Sequence, residues 1–587
     1  NHNTAVGYGA MADTTTGGNN TAIGYGTLLL NTTGDLHVAI GDNALASNTT
    51  GRYSVAVGRN ASNSQTTANG TVAVGYRALE ANTTGENVAV GTNSLLANTT
   101  ASNNTAVGLY TMQSNTTGAS NTAVGSFALD SNTTGGGNVA VGNYALDAST
   151  TADFNVAVGY GAGSAVTTGP YNTFVGYDAG EAVTTADQNT LIGSGTGRLI
   201  TGASNTGLGA FALYDATSGA NNTALGTAAL YELTTGGENT AVGRDALRNS
   251  TTANYNVAMG FGAAYYNTTA VSNTDIGYQA RYSGTTGHSN TTLGFRPMFS
   301  NSTGANNTAI GYQAGYSLTT SSQNVLVGNY TGDAITTGGN HTAVGYAALS
   351  SINSGSDACA FGFQALATCT GSQNNAFGRS ALEALTTGIH NVAVGYASIS
   401  AATTGSYNVG VGNYTLDAIT TSSYSTAMGY AVLTSATSGA SNTGVGYSAL
   451  FNTTTGNSNS AFGESTLDAN TTGSNNSGFG AGALGAVTTG NRNTALGHQA
   501  GGTITDGSDN ICIGKGADAG ASLGNSITIG VDITSTGSNT FAFGKASNIV
   551  HNTFTSNASW TRTSDRRLKK DIEEDTLGLS FINDLNT

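Results

Sequence analysis

Few residues of this chain carry groups that can do chemistry, and they fall into four sets. Asn-Thr-Thr recurs at Asn31, Asn48, Asn82, Asn98, Asn115, Asn132 and Asn267, each formally an acceptor for N-linked sugar. Three cysteines, Cys359, Cys369 and Cys512, stand in "ACAFG", "ATCTG" and "ICIG". An odd count without metal-like spacing reads as buried free thiols. Seven His and scattered acids show no metal-ligand spacing, so neither a metal nor another cofactor is expected. No carboxylate pair stands out for glycoside hydrolysis. The Gly-rich "GAGALGAVTTG" lacks the Lys and the strand-to-helix setting of a phosphate loop. The last set is "TRTSDRRLKKDIEED", Thr561 to Asp575, which crowds charge into a chain only 8% charged.

The elements that carry these residues follow from composition and period. The chain has 587 residues, with 85 Gly, two Pro and a net charge of −15. That charge disfavours nucleic acid and anionic membrane surfaces, which need clustered Lys and Arg. No run of about 18 apolar residues is present, so no membrane insertion is expected. The Gly closing each "AVG" or "AIG" falls at Gly7, Gly24, Gly41, Gly58, Gly75 and Gly91, and so on to Gly514, in steps of 17 with an occasional 16. Gly530 and Gly544 follow at shorter steps. A fixed period this short indicates a solenoid.

The unit reads N-T/V-A-V-G-Y-x-A-L-x-x-N/V-T-T-G-x-x. An apolar residue precedes every marker Gly, and Thr or Val stands two places earlier, as in Thr4 and Val6 or Val38 and Ile40. Alternation of period two predicts a strand that turns this Thr/Val face to a core. The intervening Ala then lies on the opposite, close-approach face. The following "AL" predicts a second short strand before "TTG", so that one coil holds two strands and two turns. Helix is disfavoured by Gly, Asn and Thr at this density. A coil this small buries too little to offset its ordering entropy, so stacking and association of chains must supply the rest. The Asn-Thr-Thr position also holds Val166, Val183, Ile200, Leu233, Ile335 and Ile419. A structural Asn ladder therefore competes with glycosylation as its explanation. Tyr8, Tyr25, Tyr76, Tyr160 and Tyr177, next to the marker Gly, suit edge packing, with sugar stacking as the alternative.

The units "NTAVGYG" and "NVAVG" resemble the head repeats of trimeric autotransporter adhesins, over about Asn1 to Gly544. The resemblance implies a parallel β-roll and three chains associated along their length. The expected fold is all-β: a parallel β-roll or β-solenoid of about 33 coils in 1–544, in a homotrimeric fibre of roughly 160 Å at about 4.8 Å per coil. A transition segment, 545–563, and a C-terminal segment, 564–587, follow. In the last, Ile572, Leu579, Ile582 and Leu585 suit a short amphipathic helix, with Ser564 or Asp565 as its cap.

The string "SDRRLKKDI", Ser564 to Ile572, resembles the opening of the intramolecular chaperone auto-processing domain found at the C-termini of phage tail spikes and tail fibres. Whole domains of that family are considerably longer. The resemblance implies that the chaperone helps three chains wind together and then cuts itself off between Thr563 and Ser564. Ser564 would be the nucleophile and Lys569 the base, a role a desolvated Lys can fill; Asp565 and Asp571 match the motif as well. The expected protein is a phage tail fibre or similar virion appendage. Its partners are two further copies of itself and a host cell-surface glycan or protein receptor, and it has no turnover chemistry. A cell-surface trimeric adhesin or extracellular filament is the alternative, and a polysaccharide-degrading enzyme stands third.

Overall fold

Each repeat supplies one short strand, and within each unit the strands of successive repeats pair in parallel. The computed structural model describes residues 2–554 and the backbone of 561–563. The chain forms two units, Asn1–Gln323 and Asn324–Thr587. The first holds nineteen strands of three or four residues, from Thr4–Val6 to Thr308–Ile310. Their register is that of the repeat: Val38, Ala39 and Ile40 face Val55, Ala56 and Val57. The described part of the second unit holds fourteen parallel strands, from Val325–Val327 to Thr540–Lys545. There the pattern changes: Thr540–Lys545 pairs antiparallel with Asn548–Thr553, which pairs antiparallel with Thr561–Thr563. No helix occurs among the described residues. The helix expected around Ile572 lies outside them, as does all of 564–587.

Two features of the coil differ from the sequence expectation. The "AL" run is not a strand. Its Leu is left-handed, as at Leu28 (φ 49°), Leu45 (φ 53°) and Leu79 (φ 53°), and so is the residue two places before it, as at Asn43 and Arg77. Alternate left-handed residues curl the chain instead of extending it. Coil-to-coil hydrogen bonds hold the curl: the amide of Leu28 donates to the Ala44 carbonyl at 3.0 Å, and that of Leu45 to Ala61 at 3.0 Å.

The strand's faces are also reversed. Ala22, Ala39, Ala56 and Ala73 are fully buried, whereas the flanking Thr/Val and Val/Ile side chains point outward. The coil is narrow, and its interior takes one methyl from the strand and one Leu from the curled turn. The exceptions follow from the same volume limit. Where Phe174 replaces the Ala, Gly163 and Gly180 replace the facing Leu, and a Cβ on Gly163 would stand 2.6 Å from the Phe174 ring. Leu326 is matched in the same way by Gly332.

Asparagine fills the remaining interior. At the head of the strand, Asn121 accepts from the Asn138 amide at 2.9 Å through Oδ1 and donates to the Gly135 carbonyl at 2.9 Å through Nδ2. This pairing repeats from coil to coil and gives a partner to the strand-head amide and the turn carbonyl. The marker glycines are required by close approach. Gly226 has φ +134°, and a Cβ there would lie 2.6 Å from the carbonyl carbon of Gly243.

Candidate functional site

The seven Asn-Thr-Thr side chains lie inside the coil. Asn31, Asn48, Asn82, Asn98, Asn115, Asn132 and Asn267 are all completely buried. Asn48 donates to Asn31 Oδ1 at 2.8 Å, Asn115 to Asn98 at 2.9 Å and Asn132 to Asn115 at 2.8 Å. Asn82 donates to the Gly85 carbonyl at 2.8 Å, and Asn267 accepts from the Ala270 amide at 3.1 Å. On the closed coil these amides offer no room for a glycan. The position shared by Asn and aliphatic residues is an interior column, which accounts for the alternation seen in the sequence.

Cys369 and Cys512 are buried and Cys359 is half-buried, all three free. Burial pushes the Cys369 thiol up to about 11 and the Cys512 thiol up to about 12. Among the described residues, no group of three His, Cys, Asp or Glu could hold a metal, and no helix is long and apolar enough to cross a membrane.

Of the expected cleavage residues, Thr563 ends the strand Thr561–Thr563, where it faces Ile549. Ser564 and Lys569 lie outside the described residues. A cut after Thr563 would leave this last strand paired on the solenoid side of the break.

The outward strand face carries a column of exposed apolar side chains. Every residue before a marker Gly is apolar, from Val6 through Leu208 (48% exposed) to Leu496 (52%) and Phe543. None of the nineteen in the first unit or the fourteen in the second is polar. The parallel column two places earlier is uncharged throughout. Nineteen side chains with roughly 60 Å² bare each leave on the order of 1,000 Å² in the first unit, beyond the few hundred Å² usual for a monomer's largest apolar patch.

Beside this face run ladders of aromatic rings. In the first unit, Phe261, Tyr278, Phe295 and Tyr312 stack at 5.4, 5.1 and 5.0 Å between centroids. Tyr265, Tyr282, Phe299 and Tyr316 form a second ladder at 5.0, 5.3 and 5.3 Å. The Arg248 guanidinium lies between Tyr231 and Tyr265, 5.2 and 5.8 Å from their centroids. Rings stacked in this way cover one another's faces and present edges.

Two interior substitutions escaped that reading. Arg281 stands in the Leu column and Asp275 in the Ala column, and they form a buried ion pair at 2.9 Å. The sequence signal was there: an acid at a position that is uncharged in every other coil, an Arg at a Leu position six residues on, and Gly284 where other coils place Asn or an aliphatic. His37 and His341 replace the Asn that heads the strand. His37 Nε2 donates to the Gly51 carbonyl at 2.6 Å, and Nδ1 accepts from the Ser54 amide at 3.2 Å. Burial lowers both imidazoles below their ordinary value.

Comparison with known proteins gives no match: no family model matches the chain, and no curated protein does.

Proposed function

We propose that the chain is the structural fibre of a phage tail or similar virion appendage. It assembles as a homotrimer, presents a host-attachment surface, and is freed from its C-terminal chaperone by one cut before Ser564. The observation that carries this reading is the unbroken apolar column on the outward strand face. A chain that works alone would be selected to place charge there, as exposed edges and faces of natural sheets do. Here the column stays apolar while the aromatic ladders and turns beside it carry Tyr, Asn and Arg. Companion copies laid along the column remove it from water, and symmetric association of identical chains is the common way to do so. Three copies, as the adhesin-head resemblance implies, close each face on the next.

The role of the tail follows from the same repetition. A sequence in which every coil can pair with any other needs its chains started in register. A C-terminal chaperone supplies that start, and its removal by the Ser564–Lys569 pair makes the assembled state kinetically persistent.

Light scattering of the purified chain tests the assembly. The expected mass is three times the 58.3 kDa chain, and Val124→Lys, which sets a charge in the column, is expected to weaken it. A soluble monomer with the column bare overturns the reading. Intact mass of the full gene product tests the tail. The wild type is expected to end at Thr563, with Ser564→Ala and Lys569→Ala left uncut.

A further inference from the structure

Three coils share one departure from the repeat. Gly-Asn-Tyr-x-x-Asp occurs at Gly142–Asp147, Gly328–Asp333 and Gly412–Asp417. In each, Asn takes the place after the marker Gly that Tyr often holds, and Tyr moves one place on into a left-handed conformation, with φ 59°, 55° and 56° at Tyr144, Tyr330 and Tyr414. The displaced ring stands crosswise to the Tyr of the next coil. Tyr144 meets Tyr160 at 75°, Tyr330 meets Tyr346 at 81° and Tyr414 meets Tyr430 at 82°, with centroids 5.8, 6.0 and 6.0 Å apart. Ladder rings such as Tyr430 and Tyr447 lie 7° from parallel. Tyr414 is also crosswise to the ring before it, 77° from Tyr396 at 5.2 Å, so neither neighbour stacks on its faces, whereas Tyr144 stacks on Phe127 at 1°. In each of the three coils the Asp also holds one carboxylate oxygen, Oδ1, out of water with no hydrogen-bond partner. The crosswise contact to the next coil and the acceptor lacking a donor occur together three times.

At Tyr414 the constellation opens into a groove. Its volume is about 510 Å³, within the range of small-molecule sites. It runs over four coils, with Tyr414, Tyr430 and Tyr447 on its wall and Asp417 and Asp468 in its first and last coils. No residue of the apolar strand columns lines it, so association along those columns leaves it open. No Lys or Arg occurs between Arg379 and Arg492, so nothing nearby compensates an anionic ligand. Burial raises both Asp417 and Asp468 from the ordinary carboxylate range. The two carboxylates are three coil steps apart, about 14 Å at the usual strand spacing. That exceeds the roughly 5–9.5 Å separating the carboxyls of glycosidases, so the groove holds a ligand without cleaving it.

We propose that this groove binds a neutral oligosaccharide, one pyranose laying its C–H face on Tyr414 while hydroxyls donate to Asp417 and Asp468. Each companion chain repeats the Tyr414 groove, so that an assembly offers several weak contacts that sum by multivalency. This deepens the attachment reading by naming the receptor class.

The test uses the assembled chain with cellotriose, maltotriose, mannotriose and triacetylchitotriose, and 3′-sialyllactose as the anionic counterpart, by saturation-transfer NMR and calorimetry. At least one neutral trisaccharide is expected to bind. Tyr414→Ala should weaken it about tenfold or more, as truncating a central aromatic does, while Tyr414→Phe keeps it. Asp417→Asn, a change of charge at constant shape, tests the same contact should Tyr414→Ala misassemble. A silent neutral panel, a preference for sialyllactose, or unchanged affinity in both Tyr414→Ala and Asp417→Asn overturns the proposal. A trimer that ignores every sugar overturns the groove alone, and a monomer that binds one overturns the assembly alone.

Discussion

Replacing Arg281 with Leu converts the one fully buried ion pair of the described solenoid into an isolated buried charge. Arg281 and Asp275 side chains are 0% and 1% exposed. Arg281 Nε and Nη2 lie 3.0 and 2.9 Å from Asp275 Oδ2, and the Thr292 hydroxyl donates to Oδ1 at 2.8 Å. The guanidinium also fills the room left by Gly284, where a Cβ would stand 2.8 Å from Arg281 Cζ. Arg281→Leu removes the charge and empties that room together. Stranding one partner of a buried pair costs about 3–5 kcal/mol. Burial already raises the Asp275 carboxyl, opposed by Arg281 and Thr292, so the variant is expected to take up a proton there. The combined Asp275→Ala, Arg281→Leu, Gly284→Asn variant restores the ordinary coil. It should recover the whole loss and gain up to about 1–4 kcal/mol over the native pair. Solenoids open locally, so the assay is native-state hydrogen exchange of the amides from Val257 to Ile310. The single variant should exchange roughly 150- to 4,000-fold faster there, the factor equivalent to that loss. Native exchange in Arg281→Leu, or a combined variant no slower than it, refutes the reasoning.

Acid should loosen the coils that carry His37 and His341. Burial lowers both from the ordinary 6.5, so the unfolded chain binds more protons. Their stability is full above about pH 6.5 and is lost as pH falls, by at most about 2 kcal/mol each at pH 5. Exchange of the Ser54 and Ala358 amides between pH 7.5 and 5 measures it, and His37→Asn should remove the Ser54 response. Gly226→Ala forces a Cβ into the Gly243 backbone and should cost more than the roughly 1–2 kcal/mol of left-handed strain alone, speeding exchange in the adjoining coils. Gly70→Ala, with nothing within 4 Å, is the mild control. Iodoacetamide at pH 8 should label half-buried Cys359 first, while Cys369 and Cys512 stay unmodified until unfolding; mass spectrometry of the three peptides checks the order.

The period, the place of each strand and the all-apolar column were legible because they recur in every unit. The inside and outside of the strand were not. Alternation says that two faces differ, and Val is the more apolar, so the usual inference puts it in the core. Coil width decides otherwise, and the sequence held a trace of it: Phe174 and Leu326 appear where Gly163, Gly180 and Gly332 give way. The left-handed Leu28 and Leu45 were hidden for a related reason. Nothing in "AL" marks a turn, since the residue that pays the strain is kept there by its burial, not by propensity. The Asn column was ambiguous at Asn31 and Asn48 because the motif for a modified surface Asn and the pattern of a buried ladder share the same three letters. The Asp275–Arg281 pair was visible only as three separate breaks in the repeat.

The in-register pairing of each coil with its sequence neighbour has a genetic consequence. An in-frame duplication or loss of one ordinary unit inside either stack, away from matched sets such as Phe174 with Gly163 and Gly180, returns the surviving residues to an equivalent set of neighbours. Related genes can therefore differ in unit number by replication slippage without any compensating substitution, and the features that resist such copying are the singular ones, Arg281 among them.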